Sequence, residues 1–286
     1  MQRSTIQLLR FQFSFFLMPV YLFALSSLLK PQWGRAALIF IILHLLVYPA
    51  SNAYNSYMDK DEGSIGGVKQ PMQPTVELFR VSLILDGIAI AASFFVSVFF
   101  GIGTILYILA SRAYSYRGIR LKKHPFAGYF TVIIFQGAVT FWLVYHGSHQ
   151  STTLNVPVSG MVASSLLIGG FYPITQVYQH VADHKDGVIS ISAWLGYRGT
   201  FIFTGIVYVF AFIALGYYFL SGLEIRQLLV LQIFMLPVLV YFFRWATRVW
   251  KNAAAADFAS TMKMNLIASC CTNAAFITLI IWRFFE

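Results

Sequence analysis

Acidic residues are scarce in this sequence. Ten aspartates and glutamates face 20 lysines and arginines, and charged residues of both signs fill only 10% of the 286 positions. A domain folded in water carries about a quarter charged residues, so a soluble enzyme with a solvated surface is excluded. Cysteine is nearly absent. The two present, Cys270 and Cys271, are adjacent within an apolar run, which rules out a disulfide framework and a thiolate metal site and leaves packing as their role. Long polar stretches are also missing. The formal net charge of +10 therefore has no solvated basic domain to sit on, and nucleic acid is excluded as a partner. Lipid headgroups and anionic substrates are the partners that fit. What fills the chain instead is apolar: 58% hydrophobic residues, with 28 Phe and 16 Tyr, which suits a membrane interior and its aromatic belts.

Runs of about 20 apolar residues are long enough to cross a bilayer as helices. They fall at 11–29, 36–58, 78–98, 101–117, 127–146, 157–181, 200–220, 228–247 and 264–284, which predicts an all-α integral membrane protein with nine transmembrane helices in one domain, 1–286. Arg3 and Arg10 before the first run imitate a signal peptide, but no soluble domain follows, so the run reads as a retained span. With the N-terminus inside, sixteen of the 20 basic residues lie on the inner side; only Lys30, Arg35, Arg226 and Arg283 lie outside. That asymmetry is the positive-inside pattern. The expected setting is a cytoplasmic membrane of the bacterial type, with the functional end toward the cytoplasm.

Two segments repeat each other. Tyr48-Pro49-Ala50-Ser51-Asn52-Ala53-Tyr54-Asn55, then Asp59, Glu62 and Gly63, is answered by Tyr172-Pro173-Ile174-Thr175-Gln176-Val177-Tyr178-Gln179, then Asp183, Asp186 and Gly187, at a constant offset of 124. At helical spacing each copy carries a stripe of oxygen-bearing side chains on one face. Each stripe begins inside an apolar segment, where a polar side chain is costly unless it has a partner or lines a wet cavity. Both copies end helices of even number, the second and sixth, so they run in the same direction and form a parallel repeat. Two such stripes facing each other make a cage for something positive.

A basic loop opens on the same side: Arg112-Ala113-Tyr114-Ser115-Tyr116-Arg117-Gly118-Ile119-Arg120-Leu121-Lys122-Lys123. Alone it serves equally as a topology signal or headgroup anchor. Beside acidic stripes it suggests a chain of charges in which carboxylates hold Mg²⁺, the metal bridges to phosphate, and Arg and Lys neutralise the rest. Gly66 and Gly67, with Lys69, offer an anion contact or a plain connector. Asp86, inside the third span, must be paired, protonated or wet, with a structural hydrogen bond the preferred reading. His180 and His184 have no counterparts in the first copy and read as flanking polar residues. Asp257 reads as solvated.

These residues resemble the UbiA superfamily of intramembrane prenyltransferases, which have nine transmembrane helices and two aspartate-rich motifs after the second and sixth. The first family motif, Asn-x-x-x-Asp-x-x-x-Asp, is similar to Asn55 and Asp59, with Gly63 at its last position and Asp61 and Glu62 just before. The second, Asp-x-x-x-Asp, is matched by Asp183, with Gln179 in place of the first acid and Asp186 close behind. The family's tyrosine and basic segment is similar to Tyr114, Arg120, Leu121 and Lys122. An amide oxygen at Asn55 and Gln179 still coordinates Mg²⁺ but brings no negative charge.

The resemblance implies Mg²⁺-dependent transfer of an isoprenyl group from a polyprenyl diphosphate to a hydrophobic, aromatic or lipid acceptor. It implies Asp59, Asp183 and Lys122 as catalytic residues. Asn55, Asp59, Asp61, Glu62, Gln179, Asp183 and Asp186 are the implied metal ligands, and Asn55, Lys69, Tyr114, Arg120, Lys122 and Gln179 the implied diphosphate contacts. Two other readings stay open on sequence: a polytopic transporter, which parallel repeats also suit, and a family member that binds an isoprenoid without chemistry, suggested by Gln179 and Gly63.

Overall fold

The computed structural model describes residues 1–285. Among the described residues the chain forms nine long helices: α1 (Arg3–Ser26), α2 (Trp33–Asp59), α3 (Val76–Ser93), α4 (Val98–Ser115), α5 (Pro125–Ser148), α6 (Val158–Lys185), α7 (Ile191–Ser221), α8 (Ile225–Lys251) and α9 (Phe258–Phe285). All but α3 are long and apolar enough to cross a membrane by length and composition. The exception has a simple cause. Glu77, Arg80 and Asp86 fall within the 18 residues of α3, and the most buried of the three, Asp86, is neutralised by an ion pair to Arg112 of α4.

The helices meet around aromatic side chains. Phe23 of α1 is fully buried, stacked on Phe276 of α9 at 4.9 Å and tilted against Phe141 of α5 at 5.1 Å. The outer faces are as apolar as the core. Ile202, Ile206, Val209, Ile213 and Tyr217 run up α7 at helical spacing, all exposed. Exposure of that row costs nothing against lipid tails and would be prohibitive in water. The chain is a multi-pass integral membrane protein.

Several helices are locally irregular, and the irregularities sit where the sequence forces them. Ile41–Val47 of α2 winds as a π-helix, and the amide of Tyr48 bonds Leu43 O, five residues back; Pro49, which follows, has no N–H to give. A second π-segment, Ile133–Val139, interrupts α5. The first helix breaks at Arg10, whose φ of 48° lies in the left-handed region, so Arg3–Leu9 is a separate turn of helix before the span proper. Leu8 and Leu9 of that turn pack with Ala53, Ile65, Val68 and Leu78 in a small core of their own, which pins the N-terminus under the end of α2.

Candidate active site

The first copy of the repeat is a continuous helix from Tyr48 to Asp59 that stops where Lys60 turns left-handed (φ 55°) and its amide caps Ser56 O. Asn52, Asn55 and Asp59 share one face, as their spacing predicts. The stripe does not reach Glu62, which the periodicity had placed on the same face: the helix ends three residues earlier, and Glu62 is exposed. Asn55 Nδ2 donates to Ser115 Oγ at 2.9 Å, which leaves its carbonyl oxygen uncommitted. The Asp59 side chain is 3% exposed; Lys122 Nζ donates to one oxygen, and the other has no hydrogen-bond donor, with Arg120 3.6 Å away.

The second copy departs from the first. Its α-helix ends at Ile174, tightens into a 3₁₀ turn over Val177–Gln179, and restarts at His180. Thr175 accompanies the change: its Oγ1 donates to Tyr172 O at 2.7 Å, pulling a carbonyl away from the helix ladder. Pro173, which answers Pro49, leaves Gly169 O to accept the hydroxyl of Tyr129 at 3.2 Å. Gln179 Nε2 donates to Ser64 O at 3.4 Å, so here too the amide oxygen is left free. His180 bonds Ser192 at 2.7 Å and stacks on Tyr197, a packing role.

The basic loop distributes its charges. Arg112 turns inward to Asp86 and lies over the Tyr54 ring at 4.0 Å. Arg120, buried, donates to the carboxylate of Asp186, and Arg117 bonds Met58 O at 2.7 Å. Lys122 reaches Asp59, and Lys123 is exposed. Tyr114 Oη lies 2.5 Å from Tyr172 Oη, which also accepts from Gln176 Nε2 at 2.9 Å. The glycine loop is a tight hairpin: Ile65 and Val68 exchange backbone hydrogen bonds of 2.9 Å around Gly66 and Gly67 (φ 84°). Gly66 lies so close beneath the Phe13 ring that a β-carbon there would meet it at 2.7 Å. Lys69 points away, exposed.

These elements enclose a cavity of about 230 Å³. Of the residues singled out in the sequence, Asn55, Asp59, Asp61, Tyr114, Lys122, Gln179 and Asp183 line it; Glu62, Lys69, Arg120 and Asp186 do not. The structure adds residues to which sequence reasoning assigned no ligand role, some of them members of the repeated stripes. Arg10, buried, enters from the break in α1 and donates to Gly66 O and Asn52 O at 3.4 and 3.3 Å. Tyr172, Gln176, Tyr178 and Asn265 also line the wall. The signals were faint: Asn52 and Gln176 answer each other at the repeat offset, and Asn265 is an amide inside an apolar run. Burial, reinforced by the neighbouring Asp59, pushes the Asp61 carboxyl above its ordinary value, against the pull of Lys122 and Arg10.

The donor set suits a hard divalent cation, which takes oxygen ligands. Asp59, Asp61 and Asp183 supply carboxylates to one cavity, Asn55 and Gln179 supply amide oxygens while one N–H of each is engaged elsewhere, and a buried Asp59 oxygen lacks a donor. Among the described residues no three acidic, His or Cys side chains converge on a single point. Asp59 and Asp186 are engaged instead by Lys122 and Arg120 of the basic loop.

Paired polar repeats and a cavity holding both acids and cations thus lie together in a bundle of membrane-spanning helices. The sequence pattern of the UbiA prenyltransferase family matches residues 15–267, and the chain belongs to that family. It is an intramembrane prenyltransferase, which sets the transporter alternative aside. No curated protein matches the sequence. Among solved structures the fold is similar to a UbiA homologue from Archaeoglobus fulgidus bound to GPP and Mg²⁺ (TM-score 0.69, 18% identity, covering 97% of this chain and 99% of that one). It is similar also to the apo UbiA homologue from Aeropyrum pernix K1 (TM-score 0.68, 19% identity, 94% and 98%) and to a digeranylgeranylglyceryl phosphate synthase (TM-score 0.61, 17% identity, 99% of each chain).

Proposed function

We propose that the whole chain acts as one catalytic unit that transfers an isoprenyl group from a polyprenyl diphosphate to a hydrophobic acceptor, with Mg²⁺ as cofactor and the site facing the cytoplasm. The reading rests on one observation: acids from equivalent places in the two repeats, Asp59 and Asp183, line a single cavity together with Lys122. The relatives bound to Mg²⁺ with DMAPP or GPP support it.

Asp59, Asp61 and Asp183 are the carboxylates that would hold the metal, with Asn55 and Gln179 completing the oxygen set. Bound Mg²⁺ supplies charge neutralisation and Lewis-acid polarisation of the departing diphosphate. Lys122 and Arg10 stabilise the negative charge that builds on the leaving group, and Arg120 stands behind Lys122 as a second cation. Such groups accelerate the reaction to the extent that they bind the transition-state charge more tightly than the ground-state charge. Breaking the C–O bond leaves an allylic cation that water must not reach. Phe13, Val132 and Phe135, on the cavity wall, supply the apolar surroundings that exclude it. Replacing acid by amide at Gln179 removes one negative charge and weakens the metal site without emptying it of oxygen donors.

The test is release of diphosphate from a panel of prenyl diphosphates by protein in nanodiscs containing Mg²⁺ and a phenolic acceptor. Turnover is expected for at least one donor, with loss of about 100-fold or more in Asp59→Ala and in Asp183→Ala. Near wild-type turnover in both variants would remove the site assignment. No release with any donor would favour the isoprenoid-binding alternative.

A further inference from the structure

Asn265 is fully buried on α9, lines the polar cavity, and neither its Nδ2 nor its Oδ1 has a hydrogen-bond partner. An amide in that condition inside a membrane protein is costly unless something else completes it. Two more amides share the condition in part. Gln176 is buried; its Nε2 is held by Tyr172, but its Oε1 has no partner. Asn52 has an unpartnered Nδ2. All three line the same cavity.

Asn52 precedes Asp59 by seven residues of one uninterrupted helix, a rise of about 10 Å. Gln176 answers Asn52 at the repeat offset, and Asn265 lies seven residues into α9, past the contact of Phe258 with Tyr178 at 5.2 Å. The amides thus form a shelf on the side of the cavity away from the Asp59 carboxylate. Past the shelf the lining turns apolar within a turn on three helices. Phe16 follows Phe13, Phe171 precedes Tyr172, and Ala268 follows Asn265, each lining a second cavity of about 280 Å³ whose walls are almost wholly hydrocarbon.

We propose that Asn52, Gln176 and Asn265 form the subsite for the acceptor's polar head, that the head is an uncharged hydroxyl or phenol, and that the acceptor's body lies in the adjoining apolar cavity. This rests on the prenyltransferase reading of the acidic cage. The chemistry of the head follows from the atoms left free. Unpartnered amide oxygens on Gln176 and Asn265 repel an anion and call for an O–H donor, while the free N–H groups of Asn52 and Asn265 call for an acceptor. A hydroxyl is both at once. Arg10, the nearby cation, gives terminal N–H groups to the carbonyls of Gly66 and Asn52 and keeps a buried Nε–H without a partner, and its charge belongs with the departing diphosphate.

The test uses the full-length protein in nanodiscs and three probes with one apolar body: 2-naphthol, 2-methoxynaphthalene and 2-naphthoate. Wild-type protein is expected to bind 2-naphthol most tightly. Asn265→Leu is expected to weaken 2-naphthol about tenfold, the worth of one or two hydrogen bonds, and to weaken 2-methoxynaphthalene, which accepts but does not donate, by less. The same variant should keep or raise Tm, because it removes an orphaned amide. Ala268→Phe, which fills the apolar cavity, should weaken 2-naphthol and spare the donor. Donor binding is read separately, with geranylgeranyl S-thiolodiphosphate and Mg²⁺. If that analogue fails to bind wild-type protein, the cage reading falls, while the naphthol series still judges the amides. Equal binding of 2-naphthol by Asn265→Leu and wild type would overturn the proposal; should that variant fold poorly, Gln176→Leu and Asn265→Ser apply the same criterion. Preference for 2-naphthoate would overturn it in favour of an anionic acceptor. Loss of the thiolodiphosphate in Ala268→Phe would overturn the assignment of the apolar cavity and give it to the donor's tail.

Discussion

Lys122, on the loop after α4, donates its ammonium proton to the carboxylate of Asp59 at the end of α2, 63 residues away in sequence. The contact closes the cavity at its charged end, with the Asp59 side chain almost out of reach of solvent. Removing one member of a buried pair leaves the other uncompensated, at a cost of about 3 kcal/mol or more. Lys122→Ala is therefore expected to lower Tm in metal-free buffer and to lose most turnover. Added Mg²⁺ should raise the Tm of the variant more than that of wild type, because a second cation then meets Asp59. Thermal unfolding with and without Mg²⁺ checks this, and an equal shift in the two proteins would count against Asp59 as a ligand.

Asp86 and Arg112 form another ion pair of the basic end, and they lie outside the cavity lining. Asp86→Ala should cost roughly 3 kcal/mol by stranding Arg112 between helices. The double variant with Arg112→Met should recover much of that loss. Turnover per folded molecule should stay close to wild type in both, so a fall in activity without a fall in Tm would show that Asp86 serves the chemistry.

Metal binding should depend on pH through Asp61. Its carboxyl is held above the ordinary value by burial and by Asp59, so a proton competes with the cation at higher pH than it would on an ordinary carboxylate. Raising the pH through that range deprotonates the group, and affinity should rise by up to about tenfold per pH unit until the carboxylate is fully ionised. Mn²⁺ titrations over a series of pH values measure the slope. Asp61→Asn should bind more weakly and flatten it.

Close helix contact makes Gly137 sensitive. A β-carbon there would lie 2.5 Å from the Cα of Ser165 and 2.7 Å from its backbone nitrogen, and backbone cannot swing aside as a side chain does. Gly137→Ala should push α5 from α6 and cost about 1–3 kcal/mol. The shift would also move Phe135 and Gln136 in the cavity wall, so KM for the donor should change along with Tm.

Much of this architecture was legible because it is written locally. Apolar run length gave the spans, the imbalance of Lys and Arg gave the sidedness expected, and the offset of 124 gave the paired stripes. What was not legible depends on distant parts of the chain. Lys60 adopts a left-handed conformation that ends α2 early and turns Glu62 outward, and no periodicity announces that. Arg112 reads as one more cation of a basic loop until α3 brings Asp86 beside it. Arg10 looks like a flank of the first span, yet a break in the helix and a small hydrophobic core carry it into the cavity. Asn265 is one polar letter in an apolar run, and only folding shows that nothing in the protein answers it.

The two repeats began as the same pattern, but one stayed an uninterrupted helix and the other acquired a 3₁₀ turn before its acid. A strict twofold arrangement would have made the chamber reversible, able to seat a lopsided guest in either of two senses with equal ease. The single turn out of register removes that ambiguity and gives the chamber a front and a back. A reaction joining two unlike partners needs such a distinction, because each must arrive in its own place before a bond forms between them.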